Sequence, residues 1–154
     1  MKKRILFICL GNICRSPAAE GVMRTLVHRA GRDAEFEIDS AGIGGWHVGQ
    51  LPDSRMRRHG AERGYTFDSR ARQFSENDFS HFDYILVMDH DNFRAVTAMA
   101  PTPADRNKVR MLTDYLQQHP DASVVPDPYY GGPADFDYAL DLIEDACRGM
   151  LNRI

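Results

Sequence analysis

The sequence has few cysteines, no long hydrophobic run and little excess charge, and each shortage argues against a class of protein. Three cysteines in 154 residues, an odd number, do not fit the disulfide framework of a small secreted domain. No apolar stretch is long enough to span a bilayer, so we expect no membrane insertion. A net charge of -3 argues against a general nucleic-acid binder. The six histidines form no HExxH or Cys/His cluster, so we expect neither a metal nor another cofactor.

The first residues look only briefly like a secretion signal. The basic run Lys2–Arg4 precedes the apolar run Ile5–Leu10. That run is too short for a signal peptide, and it ends in Gly11-Asn12 instead of a small-residue cleavage site. We therefore expect a cytoplasmic protein, in a reducing compartment that keeps thiols such as Cys9 usable.

Length and composition predict a single globular domain over residues 1–154. An apolar content of 43% suffices for a packed core, so disorder is not expected. Strand-like and helix-like segments alternate, which favours an α/β fold with a mostly parallel sheet. The predicted strands are Arg4–Cys9, Phe36–Ser40, Tyr84–Met88 and Val109–Met111. The predicted helices are Pro17–Ala30, Ser54–Arg63, Asp91–Ala98 and Ala134–Asn152.

Local signals indicate where several of these helices begin or end. We expect Ser16 to cap the first helix, with Pro17 in its first position. Gly64 is expected to stop the second helix and Asp89 to cap the third. The last helix carries an apolar stripe at helical spacing, which predicts a buried face. Its members are Phe136, Ala139, Leu140, Ile143, Ala146, Cys147 and Met150.

The most informative segment is Cys9–Ser16, which joins the first predicted strand to the first predicted helix. Its amides and the positive end of the helix would form a concave anion site. The same dipoles and Arg15 would favour the thiolate of Cys9, and the planar guanidinium could clamp two phosphoryl oxygens. The segment lacks the lysine of a Walker loop. It therefore predicts a phosphatase that forms a covalent cysteinyl-phosphate on Cys9.

Both cysteines of this loop also have a simpler interpretation. Cys9 could be a small core residue at the end of a strand. Gly11, which permits a tight backbone, and Asn12, which suits a left-handed turn position, favour catalysis instead. Cys14 either fills space behind the loop or joins Cys9 in a reversible disulfide after oxidation, and the sequence leaves this choice open.

The segment Cys9–Pro17, together with Asp127–Gly131, resembles the low-molecular-weight protein tyrosine phosphatase family. The resemblance continues through Ser40–Gly42, Trp46, Ala71–Gln73 and Phe82–Leu86. It implies a three-layer sandwich, in which a central four-stranded parallel sheet is flanked by helices and the phosphate-binding loop follows the first strand. The resemblance departs at Ser69, where many family members have histidine.

The resemblance also implies roles for individual residues. Asp127 would be the general acid, which is needed because the phenol leaving group has a pKa of about 10. Its carboxylate would then accept a proton from the water that attacks the phosphocysteine. Ser16 would donate to the Cys9 sulfur, and Asn12 would hold the loop through Ser16 and Ser40. The predicted substrate-binding residues are Leu10, Gly11, Asn12, Ile13, Cys14, Ser16, Trp46, Tyr129 and Tyr130.

The aromatic residues define the predicted substrates and partners. Trp46, Tyr129 and Tyr130 would be walls of a cleft that admits a phenyl phosphate and excludes the shorter phosphoserine. We thus expect phosphotyrosine-containing proteins or peptides as substrates. Exposed Tyr129 and Tyr130 could also support weak self-association, so the predicted state is a monomer or a weak homodimer.

Three other functions share parts of this pattern. An arsenate reductase needs further cysteines for a disulfide relay, and only Cys147 lies outside the loop. Protein-arginine phosphatases typically have threonine at the position of Ile13 and one aromatic residue after the Asp-Pro pair. A non-catalytic phosphate-binding module would need neither the nucleophile Cys9 nor the acid Asp127. The basic run Arg55–His59 could attract phosphorylated surfaces, although a solvated helix face is the simpler interpretation.

Overall fold

Four parallel strands form the central sheet of the computed structural model, which describes residues 2–154. Strand β1 (Lys3–Cys9) lies between β2 (Phe36–Gly42) and β3 (Tyr84–Val87), and β4 (Val109–Met111) pairs with β3 at one edge. The run Ile5–Ile8 in β1 is fully buried, because helices cover both faces of the sheet. The predicted four-stranded parallel sheet is confirmed.

Within residues 2–154, six α-helices surround this sheet: α1 (Arg15–Arg29), α2 (Ser54–Glu62), α3 (Asn77–His81), α4 (His90–Met99), α5 (Pro103–Arg106) and α6 (Pro133–Arg153). Ile5 and Phe7 belong to a core shared with α1, α2 and α6. Leu6 and Ile8 belong to a second core with Phe79 of α3. Successive residues of a strand point to opposite faces, so β1 supplies both cores of a three-layer sandwich.

The four long helices end within one or two residues of their predicted limits. Gly64 has a φ of 87°, just beyond the end of α2, as its helix-stop role predicts. Asp89 caps α4 by accepting from the amide of Asn92 at 2.8 Å, also as predicted. The short helices α3 and α5 were not predicted, because five and four residues are too few to show a helical period.

The prediction that Ser16 caps the first helix is wrong. Helix α1 begins at Arg15, so Ser16 is its second residue and Cys14 is the N-cap residue, which makes no side-chain cap. The Ser16 hydroxyl bonds to Cys9 and Asn12 instead. Pro17 is therefore the third helical residue, a position it tolerates because amides of the first turn have no helical acceptor.

Helix α6 buries its predicted apolar stripe, from Phe136 to Met150, against β1 and α1 residues of the larger core. Cys147 lies within this stripe and is fully buried, as predicted. Among the helices of residues 2–154, none combines the length and the apolar character that crossing a bilayer requires.

Candidate active site

The loop between β1 and α1 is held by the side chain of Asn12. Its backbone has a φ of 59°, a left-handed conformation that asparagine tolerates. Its Nδ2 donates to Ser16 Oγ at 2.8 Å and to Ser40 Oγ at 3.0 Å, which is the expected network. Its Oδ1 accepts from the Arg72 amide at 3.0 Å. The Asn12 side-chain carbonyl is thus bonded to a backbone amide, and the side chain of Ser69 is not needed to hold it.

The two N–H groups of the Asn12 side-chain amide have different acceptors, Ser16 and Ser40. This determines which groups of the network donate and which accept. Ser40 Oγ accepts from Asn12 and donates to Glu20 Oε1 at 2.6 Å. Ser16 Oγ also accepts from Asn12, and it lies 3.0 Å from Cys9 Sγ. The hydroxyl proton of Ser16 has two acceptors within reach, the Cys9 sulfur at 3.0 Å and the Ala41 carbonyl at 3.4 Å. When it donates to the sulfur, it would stabilise a thiolate.

Glycine at position 42 allows the loop to pack directly on the end of β2. A Cβ on Gly42 would lie 2.9 Å from the carbonyl carbon of Gly11 and 3.0 Å from the amide nitrogen of Asn12. Cys9 and Gly42 are neighbours in the sheet, and the Cys9 carbonyl accepts from the Ile43 amide at 3.0 Å. The first turn of the loop therefore packs against the C-terminal end of β2.

Arg15 extends from the start of α1 into a buried position, with 2% of its surface exposed. Its Nη1 donates to Asp89 Oδ2 at 2.7 Å and to the Val125 carbonyl at 2.9 Å. Its Nε is buried without a hydrogen-bond partner in residues 2–154. Nη1 is thus anchored, whereas the Nε–Nη2 edge makes no hydrogen bond within residues 2–154, which suits a bidentate anion contact. Asp89 has two roles, of which the sequence indicated only the helix cap.

Asp127 lies across the cleft from this guanidinium. Its Oδ2 is 3.6 Å from Arg15 Nη2, and its Oδ1 accepts from the Tyr129 amide at 3.1 Å. The Asp127 side chain is 38% exposed, so a substrate oxygen can reach the carboxyl group. The hydrogen bond from the Tyr129 amide closes a turn at Asp127, and this turn holds the carboxyl beside Arg15.

A cleft of about 300 Å³ brings together all the predicted site residues except Asn12 and Ser16, which lie behind the loop. His47 was not predicted to belong to it. No local pattern marks His47, although its position next to Trp46 could have suggested it. The lining residues are Cys9, Leu10, Gly11, Ile13, Cys14, Arg15, Trp46, His47, Asp127, Tyr129 and Tyr130.

The aromatic walls of the cleft are largely exposed. Tyr130 is 94% exposed and Trp46 is 69% exposed. The Trp46 ring packs on the backbone of Gly44, where a Cβ would lie 1.9 Å from a ring carbon. Arg55 lies over the Tyr129 ring at 5.4 Å and donates to the Tyr129 carbonyl at 3.0 Å. The Tyr130 ring packs edge-on against Tyr129, with ring centroids 4.9 Å apart, so contacts with neighbouring groups orient all three rings.

The basic run Arg55–His59 is only partly the solvated helix face that the sequence suggested. Met56 and His59 are buried, and Arg55 packs against the cleft wall. Arg57 and Arg58 are exposed, as that interpretation requires. The difference arises because α2 packs against α6, which buries the side of α2 that carries Met56 and His59.

Cys14 lies next to the nucleophile candidate but in a different environment. Burial raises the pKa of the Cys14 thiol, and the negative charges of Asp53, Cys9 and Asp127 raise it further. All three cysteines are free thiols in the structure. Cys14 is thus held as a neutral thiol in the wall of the cleft.

Comparison with known proteins assigns this arrangement to a family. The model of the low molecular weight phosphotyrosine protein phosphatase family matches residues 4–154. A low molecular weight protein-tyrosine-phosphatase of Streptomyces coelicolor is 44% identical, over 98% of this chain and 93% of that protein. A protein tyrosine phosphatase of Entamoeba histolytica, solved with Hepes in its active site, is 41% identical with a TM-score of 0.95, over 99% and 96% of the two chains.

The rival arginine phosphatase is represented among the solved structures by a more distant relative. The arginine phosphatase of Drosophila is 34% identical and has a TM-score of 0.89, over 99% of this chain and 96% of its own. The family resemblance, the α/β fold and the expected enzyme class are all confirmed. This chain belongs to the low molecular weight phosphotyrosine protein phosphatase family, and it is a protein-tyrosine phosphatase that hydrolyses phosphoric monoesters.

Proposed function

We propose that Cys9, Arg15 and Asp127 carry this hydrolysis in two steps, on phosphotyrosine in proteins or peptides. Cys9 Sγ attacks phosphorus in line, the bond from phosphorus to the tyrosine oxygen breaks, and Asp127 protonates that oxygen. Water then attacks the phosphocysteine and gives a proton to the Asp127 carboxylate. The phosphorus–sulfur bond breaks, inorganic phosphate leaves, and the Cys9 thiolate is restored.

The free edge of the Arg15 guanidinium is the observation that carries this proposal. Asp89 and Val125 hold Nη1, whereas Nε has no partner. Nε and Nη2 can together donate to two phosphoryl oxygens, a geometry that lysine cannot reproduce. A buried unpaired N–H costs free energy, so the fold keeps it for a ligand that supplies the acceptor. The same cleft contains Cys9 and Asp127.

The surroundings of Cys9 support its role as nucleophile. The hydroxyl of Ser16, at 3.0 Å, can donate to the sulfur both before attack and when the thiolate leaves in the second step. The loop amides and the start of α1 follow Cys9 directly in the chain, and they would stabilise the oxygens of the transition state. Hydrogen bonds through Asn12 keep these groups in place, so they need little reorganisation.

The walls of the cleft support an aryl phosphate as substrate. The rings of Trp46, Tyr129 and Tyr130 can each contribute about 1 kcal/mol by stacking on a flat substrate ring. A serine phosphate is shorter and offers no ring for these contacts. We further propose a single domain over residues 1–154, a cytoplasmic location and a monomer or weak homodimer, the last because Tyr130 is nearly fully exposed.

Steady-state hydrolysis of matched phosphotyrosine, phosphoarginine and phosphoserine peptides tests the proposal. We expect a clear preference for phosphotyrosine, and no turnover in Cys9→Ser. Asp127→Ala should lower kcat for phosphotyrosine by about a hundredfold or more. It should slow 4-nitrophenyl phosphate much less, since that leaving group needs little protonation. The control is Cys147→Ser, which changes a cysteine outside the cleft.

Particular results would contradict each part of this proposal. If folded Cys9→Ser kept the turnover of the wild type, a cysteinyl-phosphate intermediate would be ruled out. If Asp127→Ala lowered kcat equally for phosphotyrosine and for 4-nitrophenyl phosphate, Asp127 would not be the general acid. A preference for phosphoarginine would retain the mechanism and change the substrate. Circular dichroism of each variant separates loss of chemistry from loss of fold.

A further inference from the structure

The segment that borders the cleft, which we call the rim segment (Gly44–Asp53), is fixed to the phosphate-binding loop at both ends. The Gly44 amide donates to the Leu10 carbonyl at 2.9 Å, and the Asp53 amide donates to the Ile13 carbonyl at 2.7 Å. Between these ends lie Trp46 and His47, which line the cleft. Groups attached to the rim segment thus keep a set position relative to a bound phosphate.

Two arginines from other parts of the chain attach to this segment. Arg57 of α2 donates from Nε to the Pro52 carbonyl at 3.0 Å. Arg70 donates from Nη1 to the Gly49 carbonyl at 3.2 Å. Both side chains belong to exposed residues, so their remaining N–H groups face solvent. Arg57 keeps both Nη groups available, and Arg70 keeps the Nε–Nη2 edge, which suits a carboxylate.

Neither arginine is neutralised by a carboxylate. Within residues 2–154, no Asp or Glu oxygen lies within 4.0 Å of the charged nitrogens of Arg57 or Arg70. The rim segment contains one acidic residue, Asp53, whose carboxylate bonds to Arg55 and caps α2. Most other arginines of the chain, such as Arg63 and Arg72, pair with acids. The rim segment therefore carries two positive charges without carboxylate partners in residues 2–154, in a chain whose net charge is -3.

From these observations we propose that Arg57 and Arg70 bind acidic residues that flank phosphotyrosine in the substrate. Pro52 is one residue from Asp53, which bonds to the loop, and Gly49 is two residues from His47 in the cleft wall. An extended peptide advances about 3.3 Å per residue, so acidic side chains two or three residues from phosphotyrosine fall within reach. The inference rests on the proposed function and specifies its substrate class.

The test compares phosphotyrosine peptides that carry Asp and Glu at the flanking positions with peptides that carry Asn and Gln there. Each set is assayed with the wild type, with Arg57→Gln/Arg70→Gln, and with Arg57→Gln/Arg106→Gln. Arg106 is an exposed arginine of α5 outside the cleft, and no ion pair within residues 2–154 includes it. The two double variants lose the same net charge. A difference in kcat/KM between them therefore depends on where the arginines lie and not on the overall charge of the protein.

We expect the wild type to prefer acidic peptides about tenfold in kcat/KM at low salt, mostly through KM, and this preference should shrink at high salt. In Arg57→Gln/Arg70→Gln the ratio should fall to about one, and in Arg57→Gln/Arg106→Gln to about threefold. Turnover of 4-nitrophenyl phosphate should stay unchanged in both double variants, because none of the three arginines lines the cleft that holds the phosphoryl group.

Two results would overturn the inference, and they can be told apart from a failure of the proposed function. One is a wild-type enzyme that hydrolyses the peptides with Asn and Gln normally and shows nearly the same kcat/KM for the acidic peptides. The other is a preference that Arg57→Gln/Arg70→Gln retains. In both cases phosphotyrosine hydrolysis and its loss in Cys9→Ser would stand. If the wild type hydrolysed no phosphotyrosine peptide, the proposed function would fail and this inference with it.

Discussion

The base and the rim of the catalytic cleft are built in opposite ways. At the base, Asn12 and Arg15 are buried, and each makes several hydrogen bonds to residues from distant parts of the chain. At the rim, Trp46 and Tyr130 are mostly exposed and are held mainly by ring contacts. The base therefore restricts atoms to one arrangement, whereas the rim leaves surface free for contact.

This difference follows the two tasks of the site. Stabilising a transition state requires donors that are already oriented, because reorganising them would add to the barrier. The left-handed backbone at Asn12 costs about 1 kcal/mol, and its three side-chain hydrogen bonds offset that cost. Recognition of peptides requires accessible aromatic and charged surface instead, and such groups need fewer constraints.

The largest expected effect tests the rigid base by replacing Arg15 with lysine. Arg15→Lys keeps the charge but loses the planar fork and the contacts of Nη1 with Asp89 and Val125. We expect kcat/KM for phosphotyrosine to fall about a thousandfold. Arg29→Lys, at an exposed position of the same helix, should change it less than twofold. A loss below tenfold in Arg15→Lys would contradict a bidentate clamp.

A smaller effect is expected when the loop is loosened without touching its reacting groups. Asn12→Ala removes three hydrogen bonds and leaves a Cβ residue at a φ of 59°. Asn12→Gly removes the same bonds but tolerates that φ. We expect kcat to fall about tenfold or more in both, and Asn12→Ala to be less stable than Asn12→Gly by about 1 kcal/mol. Equal denaturation midpoints for the two variants would rule out the strain component.

At the rim, Gly44→Ala should have a modest effect that depends on the substrate. The added Cβ would overlap the Trp46 ring and displace it. We expect KM for phosphotyrosine peptides to rise about fivefold, with kcat nearly unchanged, because one stacking contact is worth about 1 kcal/mol. Gly132→Ala, where a Cβ meets no atom within 4 Å, is the matched control. A kcat loss as large as that of Asn12→Ala would mean that the rim is as constrained as the base.

The smallest effect on catalysis concerns the start of the loop that leads to Asp127. Asp145 of α6 accepts from the backbone amides of Gln117, Gln118 and His119 and from His119 Nδ1. Burial of the Asp145 carboxyl opposes its ionisation, but hydrogen bonds from His119 and the loop amides outweigh this and hold its pKa below the ordinary value. The pair thus anchors the loop as long as the carboxyl is ionised.

The sign of this shift gives a pH dependence of stability. A lowered pKa in the folded state stabilises the protein fully above the unfolded value of about 3.9 and is lost as pH falls through the folded value. Asp145→Asn should thus lower the free energy of unfolding by about 2 kcal/mol at pH 7, with little change in kcat. The difference from wild type should shrink below about pH 4 in denaturant titrations. A constant difference down to pH 2 would contradict this role of the ionised carboxyl.

Much of the base could be predicted, because its residues are consecutive. Cys9, Arg15 and the turn at Asn12 lie within one short segment between a strand and a helix, so their chemistry shows in the spacing. Asp89 and Glu20 were missed as partners, since Asp89 reaches Arg15 from the start of α4 and Glu20 acts through Ser40 of β2. For Asp89 one signal existed: it follows β3, the strand beside β1, so its side chain would lie at the same edge of the sheet.

Order along the chain determined the parallel sheet, the loop at the end of its first strand and the nucleophile with its arginine, because periodicity and turn chemistry act between near neighbours. Tertiary structure alone decided which edge of the Arg15 guanidinium makes no hydrogen bond within residues 2–154 and which arginines attach to the rim segment. Each of these depends on competition among groups far apart in sequence. Arg15 Nη1, for example, is held by the Asp89 carboxylate and the Val125 carbonyl, which lie 74 and 110 residues away along the chain.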